Sequence, residues 1–327
     1  MSNTTIPYHL RQNKAVDRYA FIELLAKLDR VSPINKYRYI GFGGHSLEEF
    51  KYLHDRFNLS KMTSIESNIH VAQRQKFNQP CSCIDLVNKT SGDFLDTYNR
   101  EDPTIIWLDY TTPKELKQQV EEFQQVIQKL DEYDIIKITL NTHASSYHKA
   151  EDDTNTSHKS IRFDKLKTIL GEEELFPLND ISVEMMTGNQ FPYALLLVLK
   201  YAANLVLDRQ NICFQPLTCF SYADGQTMMT VTGVILRNSE VDVFLKNTGL
   251  IDWELKNTDW SKPRSINIPD FTIRERLYID RLLPKATASE IQKELGFQFG
   301  TDVESLKMLE NYIMFYRQSP YFSRVVV

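Results

Sequence analysis

Tyr37-Arg38-Tyr39-Ile40-Gly41-Phe42-Gly43-Gly44-His45-Ser46 decides how the rest of the chain is read. A short apolar strand, Tyr37–Gly41, runs into a glycine turn, and a helical run follows over Leu47–Phe57. A second strand, Lys61–Glu66, then ends on a carboxylate. Glycine lets a backbone turn sharply and approach a ligand, because it has no Cβ and tolerates positive φ. A helix starting at Ser46 or Leu47 points its free N–H groups back at the same place. Glu66 lies 22 positions after Gly44, the usual gap to an acid that accepts hydrogen bonds from a ribose diol. A nucleotide-like ligand over the turn is one reading. A tight strand-to-helix turn with no ligand is the other, since Ser46 stands where the last glycine of G-x-G-x-x-G would be.

Outward from that stretch the pattern alternates. Ala15–Leu28 has a helical period and precedes the first strand. A helix from about His70 to Phe77 and a short third strand, Cys81–Ile84, lead to Asp85. The fourth strand, Thr104–Leu108, is an unbroken apolar run, as in a parallel strand covered on both faces. It ends in Asp109-Tyr110-Thr111-Thr112-Pro113. Pro113 suits a helix start, and Val120, Phe123, Val126, Ile127 and Leu130 form that helix's inner face. A fifth strand, Asp134–Leu140, ends at Asn141-Thr142-His143, and the polar run 144–160 reads as an exposed loop or lid. Helices follow over Phe163–Leu170 and Val183–Val206. Ile212–Tyr222 and Thr227–Arg237, joined by Ala223-Asp224-Gly225-Gln226, then make a hairpin.

Five β-α units closed by an antiparallel pair resemble the class I S-adenosylmethionine-dependent methyltransferases. The resemblance covers residues 15–237. It rests on the Gly41–Gly44 turn, Glu66, the Asp109–Pro113 turn and the Asp224-Gly225 hairpin. It implies an α/β fold with a Rossmann-like seven-stranded sheet, mostly parallel with an antiparallel hairpin end, over residues 1–250. A small C-terminal helical domain would occupy 251–327. The implied cofactor is S-adenosylmethionine. Gly41, Phe42, Gly43 and Gly44 would pass under its methionine part, Glu66 and Ser67 would meet the ribose, and Asp85 would lie near the adenine amine. Asp109 would orient the cofactor's amino group or act as a base, with Tyr110 and His143 as the other catalytic candidates. Amino-directed members often carry Asn/Asp-Pro-Pro-Tyr/Phe after the fourth strand. Here the aromatic is moved forward and both central prolines are absent, so the acceptor, an oxygen or a nitrogen, is not identified. An alternative is a catalytically inactive binding or scaffold protein on this fold, of a kind that can sit in bacterial defence loci. A nicotinamide-dependent oxidoreductase is a third reading, against which the hairpin ending argues.

Bulk properties fit a soluble, cytoplasmic protein. The chain has 327 residues, 42% hydrophobic and 25% charged, with a net charge of −5. That length allows one large domain with an appendage, and the acidic balance argues against a broad basic face for duplex nucleic acid. Cys81, Cys83, Cys213 and Cys219 read as buried reduced thiols. No metal is expected, because His9, His54, His70, His148 and His158 form no spaced ligand set. Met1 to Leu10 lacks the pattern of a signal peptide, and Lys200 and Asn204 interrupt the most apolar window, so no membrane span is expected. Thr272–Leu283, Ala288–Leu295 and Val303–Phe315 are amphipathic helices. They suit a small bundle, one that a protein partner could contact. Lys285–Phe297 also has the outline of a helix-turn-helix opening.

Overall fold

Strand periodicity and helix caps settle the elements of the structure, a computed structural model that describes residues 11–147, 157–207 and 211–320. In chain order they are α1 (Gln12–Leu28), β1 (Arg38–Gly41), α2 (Glu48–Phe57), β2 (Lys61–Ile65) and α3 (Ile69–Asn78). Next come β3 (Ile84–Val87), α4 (Ser91–Thr97), β4 (Thr104–Asp109), α5 (Leu116–Lys129), β5 (Ile135–Asn141), α6 (His158–Leu170) and α7 (Phe191–Leu207). The chain continues with β6 (Ile212–Ala223), β7 (Thr227–Arg237), α8 (Val241–Asn247), β8 (Arg264–Ile266), α9 (Ile273–Leu282), α10 (Ala288–Leu295) and α11 (Asp302–Phe315). Most of the expected 144–160 loop falls in 148–156, outside the described residues.

The chain divides into two compact units, the larger of them Ile22–Ser221 with Gln226–Pro263. Its strands run in the order β3-β2-β1-β4-β5-β7-β6. The pairs β1–β2, β2–β3, β1–β4 and β4–β5 are parallel, while β5–β7 is antiparallel, from Ile135 opposite Val234 to Asn141 opposite Met228. The Rossmann-like sheet with an antiparallel hairpin end is therefore present, and β8 makes it eight-stranded where seven strands were expected. Side chains alternate across it with the two-residue period of a strand. Ile40, Ile106, Leu108, Ile136, Ile138 and Leu140 belong to a buried cluster with Val120, Phe123, Val126 and Ile127 of α5 and with α7.

The intervening positions carry Tyr39, Trp107, Lys137 and Thr139, also buried. Both faces of β4 are thus covered, as its unalternated run requires. Lys137 lies 4.5 Å over the Trp107 ring, and the Trp107 indole donates to Thr139 Oγ1 at 3.0 Å. On β7, Gly233 leaves room for Phe214 of β6, whose ring meets Phe123 edge-on at 5.3 Å.

Two sequence expectations need correction. The third strand is Ile84–Val87, not Cys81–Ile84, because the cysteine loop is an irregular turn and the strand's own residues are mostly half-exposed at the sheet edge. Cys81, Cys83 and Cys213 are half-buried, and among the four only Cys219 is fully buried.

The smaller unit gathers the described residues up to Phe21, Tyr222–Gly225 and the described residues from Arg264 onward. Its division from the larger unit differs from the expected 250/251 boundary. Within it, Asn13 Nδ2 donates to the Ala223 carbonyl and to Asp224 Oδ1, both at 3.1 Å, and its Oδ1 accepts the Ile268 N–H at 2.9 Å. Each of α9, α10 and α11 opens on a Thr-x-x-Glu capping box: Thr272 with Glu275, Thr287 with Glu290 and Thr301 with Glu304. Such reciprocal pairs satisfy two orphan donors at each helix start. The Arg276 guanidinium joins the Tyr312 hydroxyl (2.9 Å) to the carbonyls of Ser319 and Pro320 (both 2.6 Å).

Candidate functional site

The strand order reverses between β1 and β4: after β1 the chain moves outward to β2 and β3, then returns to β4. In open α/β sheets the crevice beyond the carboxyl ends of such strands is where ligands bind. Gly41 ends β1 opposite Trp107, and Asp109 ends β4 two residues further on.

The three glycines of the turn have different reasons. A Cβ on Gly41 would stand 2.8 Å from the Tyr39 hydroxyl oxygen, and one on Gly43 would stand 2.2 Å from Leu47 Cδ2 and 2.8 Å from Ser64 Oγ. The packing of the chain itself requires those two. Gly44 is exposed at φ +50, and a Cβ there would meet nothing within 4 Å. Its open side is the surface a ligand could approach.

The turn is held from below. Gly43 N–H donates to Ser64 Oγ at 3.3 Å in a buried contact. Leu47, fully buried with φ 53, donates its N–H to the Gly43 carbonyl at 2.9 Å. A non-glycine residue in that region costs about 1–2 kcal/mol, which the burial of its side chain offsets. From α3, Gln75 Nε2 donates to the Gly44 carbonyl (2.6 Å) and Asn78 Nδ2 to the His45 carbonyl (2.8 Å). Burial, then the charge of Arg74, lowers the His45 pKa, so the ring is neutral at pH 7.

Glu66 is half-buried just past β2. Its Oε1 accepts the Asn68 N–H at 2.8 Å, and a carboxylate has lone pairs for further donors. Ser67 beside it is exposed. Asp85 is the second residue of β3, opposite Thr63, and so lies toward the start of that strand. The residue beyond the end of β3 is Asn88, whose Nδ2 donates to the carbonyls of Glu66 (2.6 Å) and Ser67 (3.2 Å).

Asp109 is half-buried at the end of β4. Tyr110 is buried, its ring edge-on to Phe42 at 5.4 Å and its hydroxyl hydrogen-bonded to Glu122 of α5. Burial, then the Glu122 carboxylate, holds this phenol well above its ordinary pKa, so it is a neutral donor rather than a base. Tyr110→Phe leaves the buried Glu122 with one donor fewer. The expected cost is about 1–3 kcal/mol in denaturant unfolding, and an unchanged midpoint would show that the pair adds nothing. His143 is exposed beyond β5, its N–H donating to Asn141 Oδ1 at 2.9 Å. Asn141 Nδ2 ties this end to the Thr111 carbonyl (3.0 Å) and to Gln226 Oε1 (2.5 Å).

The fold therefore brings Gly41–Gly44, Glu66, Ser67, Asp109 and His143 to the carboxyl ends of the strands, while Tyr110 turns inward and Asp85 is level with Ile40, one position short of Gly41. Sequence reasoning missed Ser64, Gln75, Asn78, Asn88 and Glu122. The amides of Gln75 and Asn78 are three apart, on one helical face, and were the readable signal among these.

A family model described as "Putative O-methyltransferase" matches residues 6–327. No curated protein matches. Among solved structures, the chain is similar to a "probable spermidine synthase" from Corynebacterium glutamicum (12% identity, covering 78% of this chain and 81% of that one, TM-score 0.43). It is also similar to the N-methyltransferase NodS from Bradyrhizobium japonicum (9% identity, 68% and 97%, TM-score 0.38). A third likeness is to the O-methyltransferase TomG from Streptomyces achromogenes, involved in tomaymycin synthesis and solved in complex with SAM (9% identity, 72% and 83%, TM-score 0.38).

Proposed function

The chain belongs to the "Putative O-methyltransferase" family, whose model spans residues 6–327, and on that premise we propose that it transfers a methyl group from S-adenosylmethionine to a hydroxyl acceptor. The observation that carries this reading is the exposed Gly44 turn, with Glu66 at the end of the neighbouring strand and two acids, Glu48 and Glu49, in the first turn of α2. Negative charge at a helix N-terminus opposes a phosphate there. An adenosyl compound without phosphates suits such a turn better than a dinucleotide does.

Glu66 accepts the vicinal hydroxyls of the ribose, since two O–H donors match two carboxylate oxygens. The Gly41–Gly44 turn, with Phe42 beside it, underlies the methionine portion. Asp109 meets the cofactor's amino group. When bound, the cofactor supplies an electrophilic methyl on a sulfonium. The acceptor's hydroxyl proton has to leave, and His143, exposed beyond β5, would take it; Asp109 would do so only if it did not hold the amino group. Tyr110, neutral and held by Glu122, steadies the turn after β4.

The test is calorimetry and thermal shift with S-adenosylmethionine and S-adenosylhomocysteine, followed by methyl-transfer assays on pools of hydroxylated small molecules. One-to-one binding of both, with transfer to an oxygen, is the expected result. No heat and no shift at millimolar ligand would overturn the reading. Binding without transfer would leave the inactive binding protein in its place.

A further inference from the structure

The amino ends of the strands, opposite the glycine turn, hold a second group of chemically able side chains. His54 lies in the last turn of α2, and Cys81 and Cys83 lie in the loop before β3. Their ligand atoms all fall within 4.8 Å of one another, and all three residues are half-buried. The Cys81 and Cys83 sulfurs are 3.4 Å apart, and Cys83 Sγ is 3.7 Å from His54 Nδ1. A tetrahedral zinc ion, with Zn–S about 2.3 Å and Zn–N about 2.0–2.1 Å, sets ligand spacings of roughly 3.8 Å for S···S and 3.5–3.6 Å for S···N. The sulfur–sulfur and sulfur–nitrogen separations lie within a few tenths of an ångström of that geometry.

The cysteine loop is also built in advance. Gln79 Nε2 donates to the carbonyls of Cys81 (3.1 Å) and Ile84 (2.8 Å), and the Cys83 carbonyl accepts the Met62 N–H at 3.2 Å. On the other side, His54 Nδ1 lies 2.8 Å from the Leu59 carbonyl, which can only accept, so Nδ1 carries the proton. We propose that His54, Cys81 and Cys83 form a binding site for a thiophilic divalent cation, zinc above all, which pins the edge strand β3 to the end of α2.

Two thiols ionise when the ion binds, and their protons go to solvent. The His54 proton moves from Nδ1 to Nε2 as Nδ1 turns from the Leu59 carbonyl to the metal. With three protein ligands, water would complete the tetrahedron. Burial, then the adjoining Cys83 thiol, pushes the Cys81 thiol up to about 11, with Asp55 adding to the effect. Two thiolates at this spacing repel, and a divalent cation removes that repulsion. Because the thiols ionise on binding, metal uptake releases protons and depends on pH. The site lies at the far end of the strands from Glu66 and does not depend on the methyltransferase reading.

Titrating the reduced full-length protein with Co²⁺, then displacing it with Zn²⁺, tests the proposal. The expected result is one equivalent of Co²⁺ with sulfur-to-cobalt charge-transfer bands and the intense visible bands of a tetrahedral site. Cys83→Ser and His54→Ala should each weaken binding at least ~100-fold, more than loss of an outer-shell partner does. The control variant Cys213→Ser should leave Co²⁺ binding unchanged. Zn²⁺ should raise the melting temperature of the parent protein alone. Absence of the bands, or bands that survive Cys83→Ser, overturns the proposal. So does oxidation to a Cys81–Cys83 disulfide that proceeds equally fast with and without Zn²⁺.

Discussion

Glu66→Ala is expected to weaken binding of S-adenosylmethionine and S-adenosylhomocysteine by about 10- to 100-fold, since hydrogen bonds to a charged group contribute about 1.5–3 kcal/mol. Glu66 is half-buried past the end of β2, and its carboxylate accepts the Asn68 N–H in an exposed contact. Removing the carboxylate should therefore leave the thermal midpoint almost where it was. Glu66→Gln is the sharper variant, because it keeps the shape while losing the charge and one acceptor oxygen. Calorimetry on the three proteins checks this. Equal dissociation constants would remove Glu66 from the site, while failure of the parent itself to bind would remove the cofactor.

Gly233→Ala should cost the fold about 3 kcal/mol or more, at the upper end of overpacking effects. A Cβ there would stand 2.4 Å from Phe214 Cζ and 2.7 Å from the Gln215 carbonyl oxygen. A ring can tilt, but the carbonyl belongs to the neighbouring strand β6 and cannot move without breaking its pairing. Gly233 also pairs with Ile136 of β5, so the strain reaches the middle of the sheet. Phe214→Leu introduced with Gly233→Ala should restore part of the loss and not all of it, since the backbone clash persists. Urea unfolding reads both effects. A midpoint unchanged in Gly233→Ala would mean that the strands separate more easily than their packing indicates.

Most of the sheet was legible because its determinants are local. The apolar run of β4, the glycine turn after β1 and the Asp-Gly between β6 and β7 each act through neighbouring residues, and those elements lie within a residue or two of where the pattern puts them. The misplaced third strand shows the limit. Ile84–Val87 is short and at the sheet edge, with only Ile84 buried, so no alternation marks it. Contacts between distant residues left no trace of either kind. Asn13 meets Asp224 and Ile268 across more than two hundred positions, and His54 meets Cys83 across 29. Tyr110 was readable as an aromatic in the right turn, but its direction depends on Glu122 arriving from α5. Side-chain aim is a property of the packed state, which spacing along the chain does not encode.

The antiparallel seam between β5 and β7 carries a consequence for how the molecule is made. β5 is complete at Asn141, yet its outer partner begins only at Thr227 and the strand beyond that partner, β6, precedes it in the chain. While the ribosome is still working through that interval, the half-finished sheet presents a bare row of amides and carbonyls, the kind of rim that recruits stray strands. Joining ends so far apart along the chain is also slow. A nascent chain stalled before Arg237 is therefore the form most exposed to clumping, and the hairpin that closes the sheet also shields it.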